Sequence, residues 1–166
     1  AFVPIRFKER ELGGVGRLFE RALRPLLAPL GLGVERLPSG YTNRVDAAIA
    51  VPLEPDLVAP DILEIGRVAG TSEATIGLQI KKSGRTTGLT RGRVTALDAV
   101  VEVDYGGKSA VFRDQIVSDL LSRGGDSGSL IVDEANRGLG LLFAGGTSTT
   151  ILNPIGAVLG ALGLVL

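Results

Sequence analysis

Cysteine, histidine and methionine are all absent from these 166 residues. Without cysteine there is no disulfide, no thiol nucleophile and no thiolate metal site. The compartment stays open, because a chain this long can bury a sufficient core without cross-links in any redox setting. Without methionine, a chain that opens Ala1-Phe2-Val3 reads as a processed, excised or cut product, so residues upstream of Ala1 are expected. An excess of one charge is also lacking. The 18 basic and 18 acidic residues cancel, which gives no electrostatic reason to expect a nucleic acid, an anionic membrane or a polyanionic substrate as partner. No leader pattern opens the chain. The apolar stretch 151–166 is short for a membrane span and is broken by Asn153, Pro154, Gly156, Gly160 and Gly163. It reads as a strand end followed by a short packed helix.

What is present is apolar and rich in turns. Hydrophobic residues make up 45% of the chain, ample for a core. The 24 glycines, about twice the usual ~7% and without a collagen period, point to many tight turns and so to β structure. Short apolar or alternating runs bounded by turn residues follow one another at 74–80, 88–97, 100–105, 110–118, 129–133 and 138–144, as in a barrel or sandwich. The clearest hairpin is centred on Gly106-Gly107, which can supply the positive φ of a primed turn. Earlier in the chain, a broken helical stripe predicts a short helix over 17–24, and the run from Asn43 to Val51 predicts a strand with one acid, Asp46, inside it.

The most informative stretch is Arg123-Gly124-Gly125-Asp126-Ser127-Gly128-Ser129, which presents a serine between glycines just before the apolar run Leu130-Ile131-Val132. Acyl transfer needs a hydroxyl beside backbone N–H groups that converge on a developing oxyanion, and a glycine-rich turn lets them point into one small space. Gly125 and Ser127 are the natural pair of donors. An α/β-hydrolase elbow is disfavoured, because Ser129 stands where that motif needs glycine and strands do not alternate with helices.

This loop resembles the Gly-Asp-Ser-Gly signature of the trypsin-like, chymotrypsin-fold serine proteases. Neighbouring stretches resemble the bacterial members in family order. Asn43 to Ala50 looks like the catalytic-aspartate strand, Lys82-Ser83-Gly84-Arg85-Thr86-Thr87-Gly88 like the opening of the C-terminal barrel, Gly140 to Gly146 like the strand lining the specificity pocket, and Asn153-Pro154-Ile155 like the turn into a terminal helix. The resemblance implies an all-β fold: a complete antiparallel Greek-key C-terminal barrel over 71–166, and a remnant of a first barrel over 1–70. It further implies Ser127 as nucleophile and Asp46 as the acid that orients a histidine, in the chain order of that family. Asp126 would brace the oxyanion loop against a cation, with Arg123 or a lost segment as the partner. Phe143, Ala144 and Gly145 would pair with an extended peptide substrate, and Leu121 would approach the pocket floor, favouring an apolar or small P1 side chain. No cofactor or metal is implied. Arg85, Arg91, Arg93 and Lys81-Lys82 read as solvated strand edges.

The departure from the family is the missing histidine, and no other side chain has a place beside Ser127 as base. The chain is therefore expected to be nearly inert. Loss of an upstream segment that carried the histidine competes with a naturally inactive protease-like module. Loss is favoured, since the strand-like runs suffice for one barrel but not for two. Association with the lost segment, or with a second copy of the chain, is the corresponding expectation for partners.

Overall fold

The computed structural model describes residues 3–6, 42–146 and 148–165. The helix expected over 17–24 lies outside them. Six strands close on themselves: β4 (Gln79–Gly84), β5 (Gly88–Asp104), β6 (Ser109–Ser118), β7 (Leu130–Asp133), β8 (Gly138–Gly145) and β9 (Thr150–Pro154). Their order around the ring is β4-β5-β6-β9-β8-β7, with β7 returning to β4 and every ring pairing antiparallel. This is the Greek-key barrel expected from the sequence. The core confirms closure, because Ile80, Val94, Ile116, Ile131, Leu139, Leu142 and Leu152 draw on all six strands and bury together with Leu120. Each such side chain contributes about 1.5–3 kcal/mol when fully removed from water.

The topology decides where the serine loop sits. β5 and β6 form a meander with β4, whereas β7 pairs with β4 and β8, so the connection from β6 to β7 must cross one end of the barrel. That connection, 119–129, carries Ser127.

Two expected boundaries moved. The runs 88–97 and 100–105 are one strand of 17 residues, β5, interrupted by register shifts between Val94 and Val101 and by a positive φ of 52° at Asp98. Bulges bend a strand without ending it, so the polar break in the sequence marks curvature. The strand expected from Asn43 to Val51 shrinks to β1 (Thr42–Asn43), which lies parallel to β6. Beyond it the Asp46 backbone bonds to a side chain, its amide donating to Asn153 Oδ1 at 3.1 Å and its carbonyl accepting from Asn153 Nδ2 at 3.0 Å, while the Ala47 carbonyl accepts from the Val3 amide at 3.0 Å.

The remaining strands, β2 (Asp61–Ile62) and β3 (Gly66–Arg67), form a small antiparallel pair. The chain closes with helix α1 (Ile155–Leu162), ended by Gly163 in the left-handed region at φ 67°. Among the described residues no helix is long and apolar enough to cross a membrane. Val158 of α1 packs with Val45 and Ala47. These two flank Asp46, so the segment buries alternate side chains against the helix and turns Asp46 the other way.

Candidate active site

The serine loop is locked to the β4–β5 hairpin through Asp126, which is fully buried. Its Oδ1 accepts from the amides of Thr86 at 2.8 Å and Thr87 at 3.1 Å, and its Oδ2 from the Thr87 hydroxyl at 2.7 Å and the Arg123 amide at 3.0 Å. Gly84 makes this approach possible, since a Cβ there would stand 2.5 Å from Asp126 Oδ1. The cation is Lys82, whose Nζ lies 3.7 Å from Asp126 Oδ2 and donates to Thr87 Oγ1 at 2.5 Å and to the Gly88 carbonyl at 3.0 Å.

This corrects two expectations. Lys82 is not a solvated edge residue, and Arg123 serves Asp126 through its amide. The reason is strand alternation: Lys82 stands two residues beyond Ile80, and both are wholly buried on the same face of β4. Lys81, on the other face, pairs instead with Glu134 at 3.8 Å.

Burial is the largest influence on the Asp126 carboxyl and acts to raise its pKa. The Thr87 hydroxyl and the three amides outweigh it and hold the group well below the ordinary carboxylate range. Burial likewise lowers the Lys82 ammonium, while the Asp126 charge draws it back. Asp133 behaves as Asp126 does. Burial raises it, but the Arg137 amide, guanidinium and charge, with the Ala135 amide, bring it below its usual value. A carboxylate depressed in the folded state stabilises the fold above its unfolded pKa of about 4, and that stabilisation is lost as pH falls toward the folded value. The melting temperature is therefore expected to be insensitive to these groups between about pH 7 and about pH 5 and to fall steeply below about pH 4. A thermal scan that is flat down to about pH 2 would contradict this assignment.

With Asp126 fixed, the loop turns its neighbours outward. The Asp126 amide is occupied by the Arg123 carbonyl at 3.0 Å, and that of Gly128 by the Leu142 carbonyl at 2.8 Å. Among the described residues, the amides of Gly125 and Ser127 donate to no protein acceptor, and the exposed Ser127 hydroxyl has no protein hydrogen bond. Gly125 has φ 100°, and a Cβ there would meet Thr86 Oγ1 at 2.5 Å. Only glycine fits this position.

Ser127 lines a cleft of about 570 Å³ together with Leu121, Phe143, Ala144, Gly145 and Tyr105, among others. The structure thus brings the expected pocket residues to the serine. Leu121 stands in the wall, half-exposed at 50%. Past Leu141, β8 has no ladder partner on its β7 side, and the loop bonds Leu142 alone, through Gly128 and Ser129. Beyond that point lie Phe143, Ala144 and Gly145.

Asp46 is half-buried, with its backbone clamped by the fully buried Asn153. Its Oδ2 accepts a 2.6 Å hydrogen bond from the Tyr105 hydroxyl. Tyr105 therefore connects Asp46 to the cleft that Ser127 lines. Tyr105, Asn153 and Lys82 are the site-shaping residues that sequence reasoning missed. Only Lys82 left a signal, its two-residue spacing from Ile80.

A closed Greek-key barrel with a Gly-Asp-Ser-Gly loop laid across its end is the fold of the chymotrypsin-type serine proteases. The chain is similar to the bacterial members of that class. It is 38% identical over 81 residues to Serine protease 2 of Streptomyces fradiae, a match covering 49% of this chain and 38% of that protein. It superposes on the chymotrypsin of Cellulomonas bogoriensis with a TM-score of 0.53 and 30% identity, over 60% of this chain and 55% of the other. With Thermobifida fusca Protease A it shares the fold at a TM-score of 0.56 and 24% identity, over 64% and 58% of the two chains. No family model matches. The chain thus spans between about two fifths and three fifths of these relatives.

Proposed function

We propose that these residues are the nucleophile-bearing part of a serine endopeptidase, which cleaves peptide bonds through an acyl-enzyme on Ser127 and takes its histidine from outside the 166 residues. The observation that carries this reading is the pair of unspent amides, Gly125 and Ser127, beside an exposed hydroxyl on a loop that Asp126 holds rigid. Donors fixed before the reaction stabilise a tetrahedral oxyanion without reorganising, and each is worth about 10²–10³ in rate.

In the proposed reaction Ser127 Oγ attacks the scissile carbonyl as a histidine takes its proton, and Asp46 steadies the imidazolium. The proton then passes to the leaving amine, and water hydrolyses the ester. The substrate is an extended peptide laid along Phe143, Ala144 and Gly145, with an apolar or small P1 side chain entering beside Leu121. Without the histidine, the oxyanion site by itself accounts for about 10³–10⁴-fold catalysis over water, so the chain as given is nearly inert.

A fluorophosphonate probe read by intact mass tests this. Ser127 is expected to be labelled strongly in the gene product extended upstream of Ala1 and negligibly in the 166-residue chain. Negligible labelling of both would overturn the enzyme reading. That result would favour a second one, a protease-like module that binds extended peptides without cleaving them, for which the Tyr105 hydroxyl seated on Asp46 is the supporting observation.

A further inference from the structure

We infer that Arg85 reads the leaving side of the substrate: its guanidinium, lodged against Gly125, selects an acidic side chain on one of the two residues that follow the scissile bond. This inference rests on the reading of Ser127 as nucleophile and Gly125 as oxyanion donor, and adds a substrate class to it.

The position follows from the turn that joins β4 to β5. Arg85, Thr86 and Thr87 fill this turn, and the serine loop clasps it. The Thr86 and Thr87 amides donate to Asp126 Oδ1, and the Thr86 hydroxyl donates to the Gly124 carbonyl at 2.9 Å. Arg85 is thereby carried to the backbone of Gly125. A Cβ on that glycine would stand 2.6 Å from Arg85 Nη2 and 3.3 Å from its Cζ, so the guanidinium occupies the space that the missing side chain leaves. None of residues 84–88 lines the cleft that holds Phe143, Ala144 and Gly145, which puts Arg85 on the outer flank of the loop. A substrate whose acyl part fills the cleft, with its carbonyl oxygen between the Gly125 and Ser127 amides, sends its leaving amine out past that flank. The oxyanion lies about 3 Å from each donor nitrogen, and two extended residues span about 7 Å. The first two residues of the leaving peptide therefore pass within reach of the guanidinium.

The guanidinium is available for this task. It is exposed, and among the described residues it takes part in no ion pair and no hydrogen bond. The loop's own acid, Asp126, is already paired with Lys82 and bonded by Thr86, Thr87 and Arg123, so Arg85 is not its counter-charge. Glu64 comes up to the other end of the turn, with Oε2 3.7 Å from where a Cβ would stand on Gly88, and makes no ion pair with Arg85. A cation on a braced turn with no internal partner is complementary to a carboxylate on the substrate, and a guanidinium can take one through two parallel N–H bonds. Because such a pair stays in contact with water, it contributes selectivity and salt dependence more than tight binding.

The test uses the protein extended upstream of Ala1 and fluorescence-quenched peptides that share one apolar P1 residue and carry Glu, Gln or Lys at the first or the second position after the scissile bond. The peptides are amidated at the C-terminus, so that only the side chain supplies a carboxylate. At low ionic strength kcat/KM is expected to be at least about tenfold higher for Glu than for Lys at one of the two positions. The ratio should shrink several-fold in about 0.5 M NaCl. Arg85→Gln should bring it close to one, and Arg85→Glu should turn it in favour of Lys. Each ratio is taken within one variant, so a general loss of activity does not disturb it. A wild-type ratio near one at both positions overturns the inference, as does a preference for Glu that survives Arg85→Glu. A uniform fall in rate across all peptides in Arg85→Gln, with the ratio kept, also overturns it, since the charge would then act on the oxyanion alone. The protease reading is decided separately, by a peptide anilide with the same P1 residue and no amino acid beyond the scissile bond. Hydrolysis of the anilide without a preference for Glu in the peptides sinks this inference alone, whereas no hydrolysis of any substrate sinks both.

Discussion

Replacing Lys82 with methionine is expected to lower the free energy of unfolding by about 3–5 kcal/mol, because it strands the buried Asp126 charge, whose one ion pair among the described residues is with Lys82. Both side chains are fully buried, and the lysine also serves Thr87, which in turn donates to Asp126. Methionine restores most of the volume, so the loss reports charge and hydrogen bonding more than a cavity. Urea denaturation measures it. A loss under about 1 kcal/mol, the scale of an exposed pair, would mean that water screens the contact. The effect should also reach the serine: Asp126 immediately precedes Ser127, and a loosened carboxylate no longer holds the neighbouring amides outward. Labelling of Ser127 in the upstream-extended protein should therefore slow in Lys82→Met, even where the variant remains folded.

Phe112→Ala is expected to cost about 3–5 kcal/mol, the range for deleting a fully buried aromatic ring. Phe112 is completely inaccessible and stands between two walls of the cleft, with Phe143 on one side and Tyr105 on the other. Its removal takes the backing from both. Denaturant unfolding gives the global loss. A loss of about 1 kcal/mol or less would show that neighbouring side chains close the space.

What could be read from the chain and what could not divide along sequence separation. The Gly106-Gly107 hairpin was legible because its strands, its turn and its pairing of Asp104 with Ser109 lie within a few residues. The serine loop was legible for the same reason, as glycines on both sides of one hydroxyl already restrict where it can point. The bulged strand β5 reads as two in the sequence, since the polar Asp98 between two apolar runs looks like a strand end until both halves are seen to pair with β6. The run after Asn43 was misjudged as a strand because its apolar alternation is satisfied by α1, more than a hundred residues away, instead of by a ladder.

The sequence by itself determined the barrel, the bend that presents Ser127 and the lack of any imidazole, because period-two burial, glycine backbone freedom and composition are local properties of the chain. Only the tertiary structure decided that Lys82 neutralises Asp126 across 44 residues, that Asn153 holds Asp46 across 107, and that Tyr105 covers its carboxylate across 59. Buried charges and half-buried carboxylates take whichever donors closure of the barrel brings within reach, and that choice is made in three dimensions, with no local pattern to announce it.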